Sequence, residues 1–345
     1  MEDAPKIILQ AHMGMVYASD LENVTSDNAV VHAIETDDTI TPGGKSSLGA
    51  DNGAGIGMIL AICESNVPHG LICALITADE EVGLIGASVL DPEVIDADYL
   101  INIDVEEFGV IYYSSAGDFT AEITGDGEMY QLAEGEKAYR LTIGNLTGGH
   151  SGVDIDRHRL NAILALGKLS QVLVDEGIPV RLSTIVSGTF ENAIPTGGTF
   201  EIMLPENLEQ KARDLIEGQI ASLKTEYPEE AFTYQFDSID VSPEKALGTT
   251  DSEKLLNFLF KLPAGVITRS DTKDSIVQTS LNVGLLKLAD GSFTCTLLAR
   301  SCLSEEHLTS WKQSFAAWQK NSVTVLPYPI NTTAGTKTRT VHWFR

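Results

Sequence analysis

Five polar side chains in the N-terminal third of the sequence stand where apolar segments end or just before a helix-like segment. They are His12, Asp51, Glu80, Glu81 and Asp104. Taken singly, each has an ordinary structural explanation, because His, Asp and paired Glu side chains are commonly caps, loop hydrogen-bonding groups or solvated charges. Their recurrence at successive strand ends points instead to a shared site. One imidazole and four carboxylates suit a hard-to-borderline divalent metal ion, with zinc the first candidate.

The segments that must position these residues alternate between strand-like and helix-like patterns. Apolar, strand-like runs occupy residues 6–10, 70–78 and 99–103, and helix-like segments occupy residues 53–64 and 84–90. Continuous apolar strands separated by helices are typical of a parallel sheet that is covered on both faces. Because ligands of such sheets bind beyond the carboxyl ends of the strands, we expect the five side chains to converge in one crevice.

The sequence pattern changes near residue 113. Alternation of polar and apolar residues predicts half-buried antiparallel strands at 119–124, 138–143 and 180–186, and further strand-like segments follow at 277–288 and 293–298. Amphipathic stretches predict helices at 158–175, 206–225 and 305–320. We therefore predict an α/β protein in which residues 1–112 belong to a parallel-sheet domain and residues 113–325 form a second, α+β domain.

The composition argues against some classes of partner. The 345 residues include 23 Lys and Arg and 49 Asp and Glu, for a formal net charge of −26, and such a surface would repel nucleic acid. No apolar run reaches the ~18 residues that a membrane span needs, and the N-terminus has no pattern of a secretory signal. The cysteines show no CxxC spacing, so we expect buried thiols in a reducing cytoplasm. They are Cys63, Cys73, Cys295 and Cys302.

Seven short motifs resemble, in order, those of the co-catalytic dizinc peptidases that include aminoacyl-histidine dipeptidase. In the first domain they are Gln-Ala-His-Met-Gly-Met-Val (10–16), Leu-Gly-Ala-Asp-Asn-Gly (48–53), Thr-Ala-Asp-Glu-Glu-Val-Gly (77–83) and Ile-Asn-Ile-Asp (101–104). In the second domain they are Gly-Gly-His-Ser-Gly (148–152), Asn-Ala-Ile-Pro (192–195) and Thr-Ser-Leu-Asn-Val-Gly (279–284). The resemblance covers residues 6 to about 329 and implies a catalytic domain interrupted by an inserted α+β lid.

The resemblance implies metal-dependent hydrolysis of dipeptides, either of the Xaa-His type or of broad specificity. Asp51 would bridge two zinc ions, with manganese or cobalt as alternatives. His12 and Asp104 would complete the coordination of one ion, and Glu81 would bind the other. Glu80 would be the general base that deprotonates a zinc-bound water, whose pKa the metal lowers toward ~7.

Three residues of the second domain would act on the dipeptide. His150 looks like the family's lid histidine, which helps to stabilise the tetrahedral intermediate. Asn192 and Arg300 match positions that would hold the carbonyl and the terminal carboxylate, and the planar fork of Arg suits a carboxylate. The alternatives are a turn-stabilising role for His150 and an ordinary surface ion pair for Arg300. The family also implies a cytoplasmic enzyme and a homodimer through the lid, without membrane or nucleic-acid partners.

The sequence departs from the family pattern at three places. Gly14 stands where the family has the Asp of a His-x-Asp segment, and loss of such an orienting partner typically costs ~10–100-fold in metal affinity or activity. The family's segment before the first motif has no counterpart here. Neither His307 nor His342 fits the zinc-ligand histidine of the family's C-terminal part.

The end of the sequence has no apolar periodicity. We interpret residues 326–345 as the remnant start of the C-terminal catalytic part followed by a frameshifted tail, which we expect to be unpacked from residue 330 onward. The departures leave a second hypothesis beside the active dipeptidase. The chain would then be a catalytically impaired remnant whose remaining properties would be folding of the second domain and dimerisation through it.

Overall fold

A computed structural model of the chain describes residues 4–19, 30–44, 46–105, 108–112, 115–239, 244–271 and 275–303. Its internal contacts divide it into two compact units, Met1–Ser114 and Ser115–Arg345. Both units combine helices with strands, so the predicted α/β class is confirmed. The helix predicted at 305–320, the tail at 326–345, His307 and His342 lie outside the described residues.

The first unit is built on a three-stranded parallel sheet in which the first strand is central. Its elements are β1 (Ile7–Met13), β2 (Ile34–Glu35), β3 (Ile40–Thr41), α1 (Ala50–Glu64), β4 (Ile72–Ala78), α2 (Ile85–Ser88), a 3-10 turn (Pro92–Val94) and β5 (Tyr99–Asn102). β1 pairs with β4 on one side and β5 on the other, whereas β2 and β3 form a separate ladder. The parallel pairing brings the carboxyl ends of β1, β4 and β5 to the same edge.

The strand β1 is longer than its sequence pattern predicted. It continues to Met13, so His12 lies inside the strand opposite Thr77 of β4 and does not follow it. Backbone pairing with β4 along all seven residues extends the strand past the apolar run. The imidazole is therefore held by sheet geometry, and its side chain is only 2% exposed.

The apolar core of the first unit is small. Leu9 and Ala11 of β1 pack against Ile59 of α1, with a few partly buried neighbours around them. Side chains such as Ile76 and Tyr99 stay exposed. In the central strand, residues 8–12 are buried on both faces of the sheet, although α1 is the one long helix among the described residues of this unit. The predicted cover on both faces stays a prediction.

The second unit is built on an eight-stranded antiparallel sheet. Its elements are β6 (Gly117–Asp126), β7 (Met129–Gln131), β8 (Glu136–Gly144), β9 (Gly149–His150), α3 (Ala162–Asp175), β10 (Arg181–Ser187), β11 (Ala193–Ile194), β12 (Gly198–Pro205), a 3-10 turn (Glu206–Leu208), α4 (Glu209–Glu226), β13 (Thr233–Ser238), β14 (Lys245–Leu247), α5 (Thr249–Lys261), β15 (Gly265–Arg269), β16 (Val277–Ala289) and β17 (Ser292–Ser301). The strand order is β13-β8-β12-β10-β16-β17-β6, and β15 also pairs with β16. Two short ladders, β9 with β11 and β7 with β14, complete the unit.

Helix α3 is central to the core of the second unit. Leu166, Leu169 and Leu173 are fully buried among apolar side chains of the sheet, α4 and α5. The helix begins at Ala162 and not at the predicted residue 158. Asn161 caps it by accepting hydrogen bonds from the N–H groups of the second and third helical residues, which fixes the start of the helix at this point.

The four cysteines are free thiols. The predicted burial holds for Cys295, which is fully buried, but it is wrong for Cys63 and Cys302, which are exposed. Cys63 lies near the end of α1 on a side that no described element covers, and Cys302 follows the last residue of β17. No helix among the described residues is long and apolar enough to cross a bilayer.

Candidate functional site

The carboxyl edge of the parallel sheet brings one imidazole and two aspartates together. His12 Nε2 lies 3.0 Å from Asp51 Oδ1 and 3.7 Å from Asp104 Oδ1. His12 is fixed by β1, Asp104 follows β5, and Asp51 lies in a non-helical first turn of α1. These contacts join residues that are far apart in the sequence, so the sheet and the start of α1 together create the cluster.

A second group of potential ligands shares the same imidazole. The side chains of His12, Glu80 and Glu81 offer donor atoms that all lie within 4.8 Å of one another, as do those of His12, Asp51 and Asp104. Glu80 and Glu81 follow the end of β4, next to β1. The other four predicted residues of the first unit therefore gather around His12. The individual role of each remains a prediction.

Asn52 holds Asp104 in place, a role that the sequence pattern did not predict. Its Nδ2 donates to the Ile103 carbonyl at 2.9 Å and to Asp104 Oδ1 at 2.5 Å, and the residue is 2% exposed. The same amide thus ties the first turn of α1 to the end of β5. The sequence signal for this role was the position of Asn52, an amide residue directly after the candidate ligand Asp51 in the same motif.

The electrostatics of the cluster favour a bound cation. Burial raises the pKa of Asp104, and the nearby His12 partly offsets this rise. The charge of Asp51 raises the pKa further, whereas the hydrogen bond from Asn52 lowers it. Two carboxylates in reach of one another repel, and a divalent cation between them would relieve that repulsion. Imidazole nitrogen and carboxylate oxygen are also the donor types that zinc accepts. The residues present therefore fit such an ion.

The other ring nitrogen of His12 has no orienting partner in the described part of the chain. His12 Nδ1 is buried and makes no hydrogen bond there. A Cβ built at Gly14 would meet nothing within 4 Å, so the space is open, but φ at Gly14 is +116°, which side chains rarely adopt. Within the described ranges, the lack of a partner for His12 Nδ1 is consistent with the departure from the His-x-Asp pattern.

The second unit brings its three predicted residues into one corner. His150 in β9 pairs with Ala193 in β11, and the Ser151 N–H donates to the Asn192 carbonyl at 2.8 Å. A Cβ built at Gly152 would lie 3.1 Å from His150 Cε1 and 3.3 Å from Arg300 Nε. His150 and Arg300 therefore flank the same glycine, and Asn192 immediately precedes β11, the strand paired with β9.

The ring of His150 is held in one tautomer by its own turn. Its Nδ1 accepts long hydrogen bonds from the Gly152 and Val153 N–H groups, at 3.3 Å each. A ring nitrogen that accepts carries no proton, so the neutral ring carries its proton on Nε2. Partial burial lowers the pKa of His150, Arg300 lowers it further, and Asp154 opposes the shift. The predicted turn-stabilising contact exists and leaves Nε2–H free of it.

Arg300 makes a long ion pair in which the two side chains are 20% and 22% exposed. Its NH1 lies 3.4 Å from Asp118 Oδ2 on the neighbouring strand β6. Its Nε is buried and has no hydrogen-bond partner among the described residues. NH1 of the guanidinium is therefore paired with a carboxylate, whereas the Nε–H group has no acceptor among the described residues.

Comparison with known proteins gives a consistent group of relatives. No protein-family model matches the chain. The chain is 33% identical over 322 residues to the cytosol non-specific dipeptidase of Escherichia coli K12, which covers 88% of this chain and 63% of that protein. It is 40% identical over 95 residues to peptidase T of Aliivibrio salmonicida, which is 26% of this chain.

The fold agrees with these sequence matches. The structure is similar to the crystal structure of aminoacylhistidine dipeptidase from Vibrio alginolyticus, with a TM-score of 0.75 and 28% identity. The match covers 96% of this chain and 66% of that chain, so this chain spans just under two thirds of the length of these two dipeptidases. The ordered motifs, the sequence similarity and the shared fold together identify the chain as a relative of the aminoacylhistidine and cytosol non-specific dipeptidases.

Proposed function

We propose that the chain is the metal-binding and substrate-binding part of a dipeptidase that acts on Xaa-His or a broader range of dipeptides. The observation that carries the proposal is the double use of His12. Its Nε2 faces Asp51 and Asp104, and the same imidazole shares a second group of donor atoms with Glu80 and Glu81. Five residues from four separate segments gather at one sheet edge, which is where ligands of parallel sheets bind.

Two zinc ions would be held by this group, with manganese or cobalt as alternatives. Asp51 would bridge them, His12 and Asp104 would hold one, and Glu81 would hold the other. Bound zinc would supply Lewis-acid activation of water and of the peptide carbonyl. The carboxylate of Glu80 would accept the proton of the attacking water and pass it to the leaving amine.

The second unit would bind the dipeptide. His150 Nε2–H would donate to the carbonyl oxygen as negative charge develops on it, which the lowered pKa of the ring supports by keeping it neutral near pH 7. Asn192 would hold the carbonyl, and the guanidinium of Arg300 would bind the terminal carboxylate. A homodimer through this unit and a cytoplasmic location remain predictions that rest on the relatives.

A specific observation favours the second hypothesis, a catalytically impaired remnant. His12 Nδ1 is buried and has no partner in the described part of the chain, and Gly14 has no side chain to provide one. Loss of an orienting partner typically lowers metal affinity or activity ~10–100-fold. The impaired form would keep the fold of the second unit while hydrolysing dipeptides slowly.

Two adjacent glutamates provide the test of the proposed roles. Zinc affinity would be measured by titration calorimetry and Xaa-His hydrolysis by release of histidine, for Glu80→Gln, Glu81→Gln and the exposed control Glu93→Gln. We expect Glu81→Gln to weaken zinc binding. We expect Glu80→Gln to bind zinc as the parent does and to lose turnover by about 10²–10⁴-fold. Equal behaviour of all three variants would contradict the assignment.

The same measurements separate the two hypotheses. Turnover by the unmodified chain that chelator abolishes and zinc restores supports the active dipeptidase. Zinc binding without detectable turnover supports the impaired remnant. Absence of zinc binding at millimolar metal would contradict the active dipeptidase and leave the impaired remnant as the supported hypothesis.

A further inference from the structure

One motif of the second unit has no part in the proposed chemistry. It is the segment Thr279–Gly284 of β16, and its Asn282 is 2% exposed in the middle of the strand. Asn282 Nδ2 donates to the Glu191 carbonyl at 2.9 Å and to the Ala193 carbonyl at 2.8 Å. These two carbonyls lie on either side of Asn192.

The hydrogen bonds around Asn192 form a continuous series. Asn282 binds the carbonyls of residues 191 and 193, and the Ser151 N–H binds the carbonyl of Asn192 itself. A carbonyl oxygen only accepts, so the Asn282 amide must present its NH₂ group, which is the side-chain donor that can serve both partners. Three consecutive carbonyls are thereby satisfied, and the backbone that carries the Asn192 side chain is held from two sides.

Gly284 lets this turn approach β16 closely. A Cβ at Gly284 would lie 2.6 Å from both Cα and O of Glu191, closer than real Cβ contacts come. On the opposing segment, a Cβ at Gly188 would collide with the Gly284 carbonyl, and φ at Gly188 is +85°. Glycine at both positions permits the contact, and the hydrogen bonds of Asn282 define its register.

The strand register relates this contact to Arg300. In the β16–β17 pair, Ser280 lies opposite Arg300 and Asn282 lies opposite Leu298. Opposed residues share a face of the sheet and residues two apart share it too, so Asn282 and Arg300 lie on the same face of neighbouring strands. Through β9 and β11 the same turn is also joined to His150.

We infer that Asn282 is a positioning residue that sets the place of Asn192 relative to Arg300 and His150. Its part in substrate binding rests on the proposed function, whereas its hold on the turn does not. The side chain acts through backbone carbonyls and touches no reacting atom. Asn282 and Gly284 of the motif thus act on the same segment: both allow the turn of residues 188–192 to pack closely against β16.

Hydrogen exchange of the full chain tests the hold on the turn without any assay of activity. The variants are Asn282→Ser, whose side chain is too short to bridge both carbonyls, and Gly284→Ala, which forces Glu191 away. The matched control is Ser183→Ala, which removes another buried side-chain bond to a carbonyl, that of Lys245, on the same sheet. We expect about tenfold faster exchange at 188–194 and 149–152 in both variants, unchanged exchange in α3, and no such change in the control. Unchanged exchange at 188–194, or uniform loosening of the unit, overturns the inference.

A double-mutant cycle tests the role in substrate binding. KM and kcat for the dipeptide Ala-His would be measured for Asn282→Ser, Asn192→Ala and the double variant. We expect Asn282→Ser to raise KM by about tenfold and to have little further effect once Asn192 is replaced, because coupled residues are non-additive. Additive effects would mean a general structural role and would overturn the assignment. If the unmodified chain neither binds nor cleaves Ala-His, the proposed dipeptidase function fails, and the exchange pattern still decides whether Asn282 seats the turn.

Discussion

The two units differ in how they hold their functional side chains. The second unit surrounds its residues with a large apolar cluster that joins the eight-stranded sheet to α3, α4 and α5. The first unit has a small cluster of Leu9, Ala11 and Ile59, and apolar residues of α1 such as Met58 and Leu60 are more than half exposed. The candidate metal ligands belong to the unit with the smaller core.

The difference indicates two ways of ordering a site. In the second unit, a large core and hydrogen bonds to the backbone hold the segments that carry His150, Asn192 and Arg300. In the first unit, the ligands are placed by a short parallel sheet and by polar ties such as Asn52, and bound metal would contribute to the stability of the fold itself. Metal binding and folding should therefore be coupled in the first unit and independent in the second.

The largest expected effect is the contrast in local stability. Without added metal, we expect amides of α3 to exchange at least about a thousandfold more slowly than amides of β4 and β5, because protection follows apolar burial. Hydrogen exchange followed by mass spectrometry of peptides from both units measures this ratio. Added zinc should slow exchange in the first unit alone. Similar protection in the two units would remove the basis of the comparison.

Truncation of an apolar side chain should lower stability strongly in the helix of the second unit and hardly at all in the helix of the first unit. We expect Leu166→Ala in α3 to lower the free energy of unfolding of the second unit by about 2–5 kcal/mol, because the side chain is fully buried. Leu60→Ala in α1, where the residue is 54% exposed, should change stability by no more than about 0.5 kcal/mol. Urea unfolding followed by circular dichroism provides both values, and a large effect of Leu60→Ala would show that this surface is covered in solution.

Gly14→Asp should strengthen zinc binding, but by less than the usual benefit of an orienting carboxylate. The new side chain would enter open space two residues from His12, whose Nδ1 is buried and has no partner among the described residues, whereas φ of +116° at this position strains any residue other than glycine. We expect a gain of about tenfold or less, measured by calorimetry. Gly14→Ala adds the strain without the carboxylate and should bind zinc no better than the parent. Identical affinities of the two variants would contradict the account of His12.

The smallest expected effect concerns the protonation of His150. Its folded-state pKa lies below the usual 6.5, first through partial burial and then through Arg300. Because the unfolded chain takes up this proton at higher pH than the folded chain does, stability is retained above pH 6.5 and falls as the pH is lowered toward the folded-state pKa. Arg300→Gln should raise the pKa of His150, as measured by NMR of the imidazole. Arg140→Gln, which removes an exposed arginine elsewhere on the sheet, should leave it unchanged.

Much of the fold was accessible from sequence pattern. The apolar runs located β4, β5, β16 and β17 to within a few residues, and the alternation located β6, β8 and β10. Helix α5 was not predicted, although Leu255, Leu256 and Leu259 have helical spacing. Its first six residues, 249–254, are all polar, so the amphipathic pattern begins only in the second half of the helix. Strand β12 was not predicted either, because it begins at the pair Gly197 and Gly198, and paired glycines are typical of a loop.

The sequence by itself determined which side chains could bind metal or substrate, because donor type and position at a strand end are local properties. The tertiary structure alone decided how these side chains are shared and held. It placed His12 in both groups of donors, assigned Asn52 to Asp104, and set Asn282 against the carbonyls beside Asn192. These contacts join residues that are tens of positions apart. Their distances follow from strand order and register, which result from packing of the whole unit and leave no mark in any single segment.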